Sequence, residues 1–154
     1  MRHRRGAWNL GPLGIILVPF LLLLVLILLP ARCAYRMTLY VLVWTMWLPR
    51  GKDVLFVSSN SPSKSEYMAV NILPHVRQRA VVLNWSERSA WKRWSLPASV
   101  FYHFAGSRDH TPIVLIFRPL KRVKKFRFFP AFKERRRGNS EPLETLRDDL
   151  LSAL

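Results

Sequence analysis

Hydrophobic positions along this chain follow two different rhythms. Residues 10–30 (LGPLGIILVPFLLLLVLILLP) form one unbroken run without a charge, close to the ~20 residues a helix needs to cross a bilayer core. Beyond residue 50 the apolar positions break into short β-branched runs and helix-spaced sets divided by polar turns, as in a folded α/β domain. Between these parts lies a shorter run, MTLYVLVWTMWL at 37–48, too short to span unaided. Tyr35, Tyr40, Trp44 and Trp47 around it are amphipathic aromatics suited to the head-group level. It reads as a helix lying against a membrane or docking on the domain, with a second membrane leg as the alternative. The pattern divides the chain into a basic N-terminal segment (1–9), a transmembrane helix (10–30), an aromatic juxtamembrane segment (31–50) and the domain (51–154).

Within the domain, DVLFVS at 53–58 predicts a buried strand. Asn60 or Ser61 then offers an N-cap, with Pro62 at the first helical position. Met68, Ile72 and Val76 recur at helical spacing, and Pro74 must interrupt that helix. AVVL at 80–83 is a second buried strand. Ser86 is expected to cap a short helix carrying Trp91 and Trp94, and a further helix buries Val100, Phe101 and Phe104 before Gly106 ends it. IVLIF at 113–117 and residues 123–129 predict two more strands, close enough for an antiparallel hairpin, whereas the first two, joined by a helix, should be parallel. Ser140 is expected to cap a last helix whose stripe is Leu143, Leu146, Leu150 and Leu154. The resulting order is β-α-β-α-β-β-α.

Charge sharpens the division. Residues 1–49 hold Arg2, Arg4, Arg5, Arg32 and Arg36 and no acid; the rest holds 20 Lys/Arg against nine acids, leaving the domain at +11 of the total +16. Such a surface favours anionic partners. The three arginines ahead of the apolar run suit an uncleaved signal anchor better than a cleaved signal peptide, because Arg32 spoils the small-residue cleavage pattern near Ala31 and Cys33. They also argue for an N-terminus inside and a single-pass protein with its domain outside the cytoplasm. The densest basic stretch, 121–137, argues for the negative cytoplasmic leaflet; only a hairpin through 37–48 would satisfy both. The reading adopted is a single anchor with an extracytoplasmic domain. Cys33 is the sole cysteine, so no internal disulfide forms.

The element order, with His110-Thr111-Pro112 directly before the third strand IVLIF, resembles the thioredoxin-like fold, in which a cis-proline stands at this place and faces the end of the first helix. The resemblance covers residues 53–154. Where thioredoxins carry Cys-x-x-Cys at the start of that helix, this chain has Ser61-Pro62-Ser63-Lys64. Hydroxyls cannot cycle between dithiol and disulfide, so the resemblance implies a redox-inactive member with no cofactor.

Candidate sites follow from these features. Ser58, Ser59 and Ser61, at a helix start, can bind an anion; glutathione transferases, which share the fold, use a serine near this place on the glutathione thiolate, with Pro112 opposite. Asn84, Glu87 and Arg88 follow the second strand, at the carboxyl edge where open α/β sheets place ligands. His103, Asp109 and His110 match no zinc spacing, so no metal is expected, and no nucleophile-elbow motif marks a catalytic residue. Residues 121–137 hold nine Lys/Arg interleaved with Phe126, Phe128, Phe129 and Phe132. Lys121, Arg122, Lys124, Lys125, Arg127, Arg135, Arg136 and Arg137 would contact anionic lipid or an acidic protein, while the phenylalanines alternate along a strand into the core. A nucleic acid is the least expected partner. The expectation is a membrane-anchored, non-redox binding or assembly module. The alternatives are a transferase using a glutathione-like thiol and an accessory subunit of a membrane complex.

Overall fold

The structure is a computed structural model that describes residues 12–92, 94–106 and 111–154, with side chains from residue 17 onward. It is mixed α/β, with one four-stranded sheet and a long apolar N-terminal helix. The chain divides into two units, at residue 38.

The first unit is helical throughout its described residues. Helix α1 (Pro12–Met46) runs on past Pro19 and Pro30 without a break. Every large apolar side chain from residue 17 to residue 29 is exposed. The window is long and apolar enough to cross a membrane, with a mean hydropathy of 2.5.

The second unit, Leu39–Leu154, begins with the end of α1. Its elements are β1 (Val54–Ser58), α2 (Pro62–Asn71), α3 (Leu73–Val76), β2 (Ala80–Asn84), α4 (Leu96–Phe104), β3 (Ile113–Ile116), β4 (Lys124–Arg127), α5 (Phe128–Arg135) and α6 (Glu141–Ser152). The sheet order is β2-β1-β3-β4. β1 pairs parallel with β2 and antiparallel with β3, and β3 pairs antiparallel with β4. Residues 54–57 of β1 and all of β3 are buried, because central strands covered on both faces need continuous apolar runs. The edge strand β4 buries only Phe126 among Lys124, Lys125 and Arg127, a charged edge that discourages pairing with another chain.

Alternate side chains of the strands feed two cores. On one face Val54, Phe56, Val114, Ile116 and Phe126 meet Met68 and Ile72, Phe128 and Phe132 of α5, and Leu143 and Leu150 of α6. On the other, Leu55, Val57, Ile113 and Leu115 meet Val100, Phe101 and Phe104 of α4, together with Leu39, Tyr40, Val43 and Trp47. Residues 39–48 therefore pack against the sheet of their own unit, the docking arrangement expected of this segment. Its buried positions recur every three or four residues, so the end of α1 turns one face to the sheet. Trp47 and Tyr40 both stand edge-on to Phe117, and the Tyr40 hydroxyl accepts from the Val123 N–H at 3.4 Å.

Several local expectations change. The fourth strand ends at Arg127, and Phe128, Phe129 and Phe132 lie on α5. Their i, i+4 spacing already suited a helix: Phe128 and Phe132 share one buried face. Asn84, not Ser86, caps the turn after β2, its side chain accepting from the Ser86 N–H; that turn is a 3₁₀ helix ending at Ala90, short of Trp91 and Trp94. At α6 the Ser140 side chain makes no cap bond; the Asn139 side chain accepts from Glu141 N–H instead. Pro74 does end α2, and the chain restarts as α3.

Arg79 ties the far side of the sheet together. Its guanidinium pairs with both oxygens of Asp53, and it donates to the Leu154 carbonyl at 2.6 Å. Arg118 donates to the Ala153 carbonyl at 2.6 Å.

Candidate functional site

Strand register gathers the sequence-predicted ligand residues at one end of the sheet. Ser58 pairs with Asn84, and Val57 pairs with Ile113, the residue after Pro112. Ser58, Ser59, Asn84 and Pro112 thus share the edge from which α2 starts. Pro112 is buried, the Thr111–Pro112 peptide is cis, and the Pro112 carbonyl accepts from the Phe128 N–H at 3.1 Å.

At this edge most polar groups are spent on one another. The Asn84 side-chain amide donates to Asn60 Oδ1 at 2.8 Å and to Glu87 Oε1 at 2.7 Å, while its Oδ1 accepts from Ser86 N–H at 3.1 Å. Ser86 Oγ accepts from the Asn60 N–H at 3.0 Å. The Arg88 guanidinium lies over the Trp85 ring at 5.1 Å, and Trp85 packs on Trp91 and Phe101. Asn84, Glu87 and Arg88 are therefore occupied in closing the β1–α2 and β2 turns. The Ser61 hydroxyl makes no cap bond; its carbonyl accepts from Lys64 and Ser65 N–H groups. Ser58, Ser59 and Ser61 are half-buried. Among the described residues no imidazole or carboxylate hydrogen-bonds their hydroxyls.

The basic candidates spread over three places. Lys121 and Arg122 lie in the turn after β3; Lys124, Lys125 and Arg127 are on β4; Arg135, Arg136 and Arg137 are at and just beyond the end of α5. All eight are exposed. Phe126, Phe128 and Phe132 between them are buried, which removes them as stacking platforms for nucleobases. Arg137 is paired with Glu134 at 2.9 Å.

Lys64 escaped the sequence reading. Its ammonium sits over the Phe129 ring at 4.5 Å, and burial, followed by the charge of Arg136, holds its pKa below the usual lysine value. Only the return of α5 beside α2 creates this contact, and nothing local in the sequence signals it. His103 is a half-buried residue of α4 set edge-on to Phe104, whereas Asp109 and His110, like Arg2, Arg4 and Arg5, lie outside the described residues. Among the described residues no three His, Cys, Asp or Glu side chains stand close enough to hold a metal ion. No protein-family model matches the chain, and comparisons with curated proteins and with solved structures give no match.

Proposed function

We propose that this chain is a membrane-anchored binding or assembly module. In this reading α1 crosses the bilayer once through its exposed apolar stretch, and a thioredoxin-like domain without redox cysteines offers a basic surface to anionic lipid or an acidic protein partner. The observation that carries it is the separation of charge from core along 121–137. The eight basic side chains are exposed while Phe126, Phe128 and Phe132 between them are buried, so the charge lies on the solvent side of this stretch and the apolar surface on the core side. The strand order β2-β1-β3-β4, with helices on both faces, supports the domain reading, and Ser61-Pro62-Ser63 at the start of α2 removes dithiol chemistry. A basic residue close to an anionic surface contributes about 1 kcal/mol, falling off within a Debye length.

The test is amide hydrogen exchange of the full chain in nanodiscs of phosphatidylcholine, with and without phosphatidylglycerol. Added protection over residues 118–127 in the anionic discs, lost on raising salt, supports lipid contact. Equal exchange in both discs, together with no salt-sensitive complex with an acidic polypeptide such as polyglutamate, overturns the reading.

A further inference from the structure

The cleft between α2 and α5 has the features of a ligand site. It encloses about 320 Å³ and is lined by Ser63, Lys64, Glu66, Phe132, Arg135 and Arg136. A second hollow of about 280 Å³ adjoins it, shares Ser63, Glu66 and Arg135, and also touches Tyr67. This is the lower end of the size range of small-molecule pockets, suited to a phosphate group and a few attached atoms.

Three cations against the single acid Glu66 leave the cleft at +2. None of the three has an ion-pair partner among the described residues, since Glu134, the acid of α5, is taken by Arg137. Two of the cations are held by aromatic rings rather than by acids: Lys64 over Phe129 at 4.5 Å and Arg135 over Tyr67 at 5.3 Å. Such cation–π seating positions a charge without neutralising it. Burial, and after it the nearby charge of Arg136, hold the Lys64 pKa below the usual lysine value. Among the described residues neither the exposed Ser63 hydroxyl nor the buried Tyr67 hydroxyl has a hydrogen-bond partner. Phe132 supplies an apolar wall.

We propose that this cleft binds a phosphate monoester dianion, with Lys64, Arg135 and Arg136 donating to its oxygens and Ser63 adding a neutral donor. A net +2 matches the dianion, and arginine's planar fork suits phosphate oxygens. The phosphate can belong to a soluble metabolite or to a monoester lipid headgroup. Arg135 and Arg136 belong to the basic surface as well, but unlike the lipid contact of the turn and β4 this site requires particular side chains, and it can stand where that contact fails.

The experiment uses the full chain in phosphatidylcholine nanodiscs, titrated calorimetrically with inorganic phosphate and with glycerol phosphate. A second arm compares discs carrying phosphatidic acid, a monoester, with discs of equal charge carrying phosphatidylglycerol, a diester. The variants are Lys64→Met, Arg136→Ala and Arg136→Lys, with Arg137→Ala as control and circular dichroism as the check on folding. We expect saturable binding, weakened about tenfold or more by Lys64→Met or Arg136→Ala, as loss of a charge-assisted hydrogen bond requires. Arg136→Lys should restore part of it, and Arg137→Ala should leave it unchanged. Binding of soluble phosphate identifies a metabolite-type ligand; a preference for phosphatidic acid alone, lost in the same variants, identifies the headgroup. No saturable binding at tens of millimolar phosphate and no preference for phosphatidic acid would overturn the proposal. So would equal weakening by all the variants, which marks diffuse charge. If the turn and β4 show no lipid protection but phosphate still binds, the surface reading fails and the cleft stands.

Discussion

Leu39 tests whether the end of the long apolar helix belongs to the domain. Its side chain is 3 % exposed and shares the core of Val57, Phe104 and Phe117, whereas Val41, two residues on, is 49 % exposed. Leu39→Ala removes three buried carbons, worth about 0.8 kcal/mol each in transfer from water, or roughly 2.4 kcal/mol. The cavity left between α1, α4 and the sheet raises the total to about 2–5 kcal/mol. Val41→Ala, on the exposed face, should stay within about 0.5 kcal/mol. Pulse proteolysis of the full chain in micelles across a urea series reads the stability of the domain. With a slope of about 2 kcal/mol per molar urea, Leu39→Ala should lower the midpoint by roughly 1–2.5 M at unchanged slope, and Val41→Ala should hardly move it. Midpoints that fall equally little in both variants would refute the reasoning. The last turns of α1 would then be a tether, and the second core would close without them.

Two further predictions follow from single side chains. Burial holds the Tyr67 hydroxyl above the ordinary tyrosine value of 10.0. The folded state therefore keeps that proton longer than the unfolded chain does, and this contribution to stability, complete below pH 10.0, is lost as pH rises through the folded value. Tyr67→Phe should be neutral or slightly stabilising at pH 7, since the hydroxyl has no partner. Its melting temperature should pull further ahead of the parent's above pH 10.0; a gap that stays constant or shrinks would contradict the burial argument. Leu120, in the turn after β3, is 91 % exposed at φ 58°, a left-handed conformation costing a non-glycine residue about 1–2 kcal/mol. Leu120→Gly removes that cost at the expense of a more flexible unfolded chain, so the urea midpoint should rise by an amount worth up to about 1 kcal/mol, and a fall would show that the leucine side chain makes a stabilising contact.

How much was legible in the sequence depended on whether the cause was local. The apolar run of 10–30, the parallel first pair of strands, the hairpin after Pro112 and the interruption at Pro74 each arise from periodicity or chain length within a short window, and the pattern of residues specified them. Met68, Ile72 and Val76 showed their buried face through spacing alone. The boundary at Phe128 was missed because Phe126 and Phe128 alternate like a strand while Phe128 and Phe132 repeat like a helix, and packing against α6 decides between the two.

Pairing decided the candidate sites. Ser58 and Asn84 come together only through the β1–β2 register, and once there the Asn84 amide is consumed by Asn60 and Glu87. Lys64 and Arg136, 72 positions apart in the chain, meet because α5 folds back beside α2. By itself the sequence determined an apolar anchor-length helix, a strongly basic α/β domain and the lack of a redox dithiol, since composition and short-range spacing suffice for these. Only the tertiary structure decided that the end of α1 completes a core and that three cations, without an ion-pair partner among the described residues, line one cleft. Burial and charge repulsion depend on which distant residues the sheet brings within a few ångströms, and no local pattern encodes that.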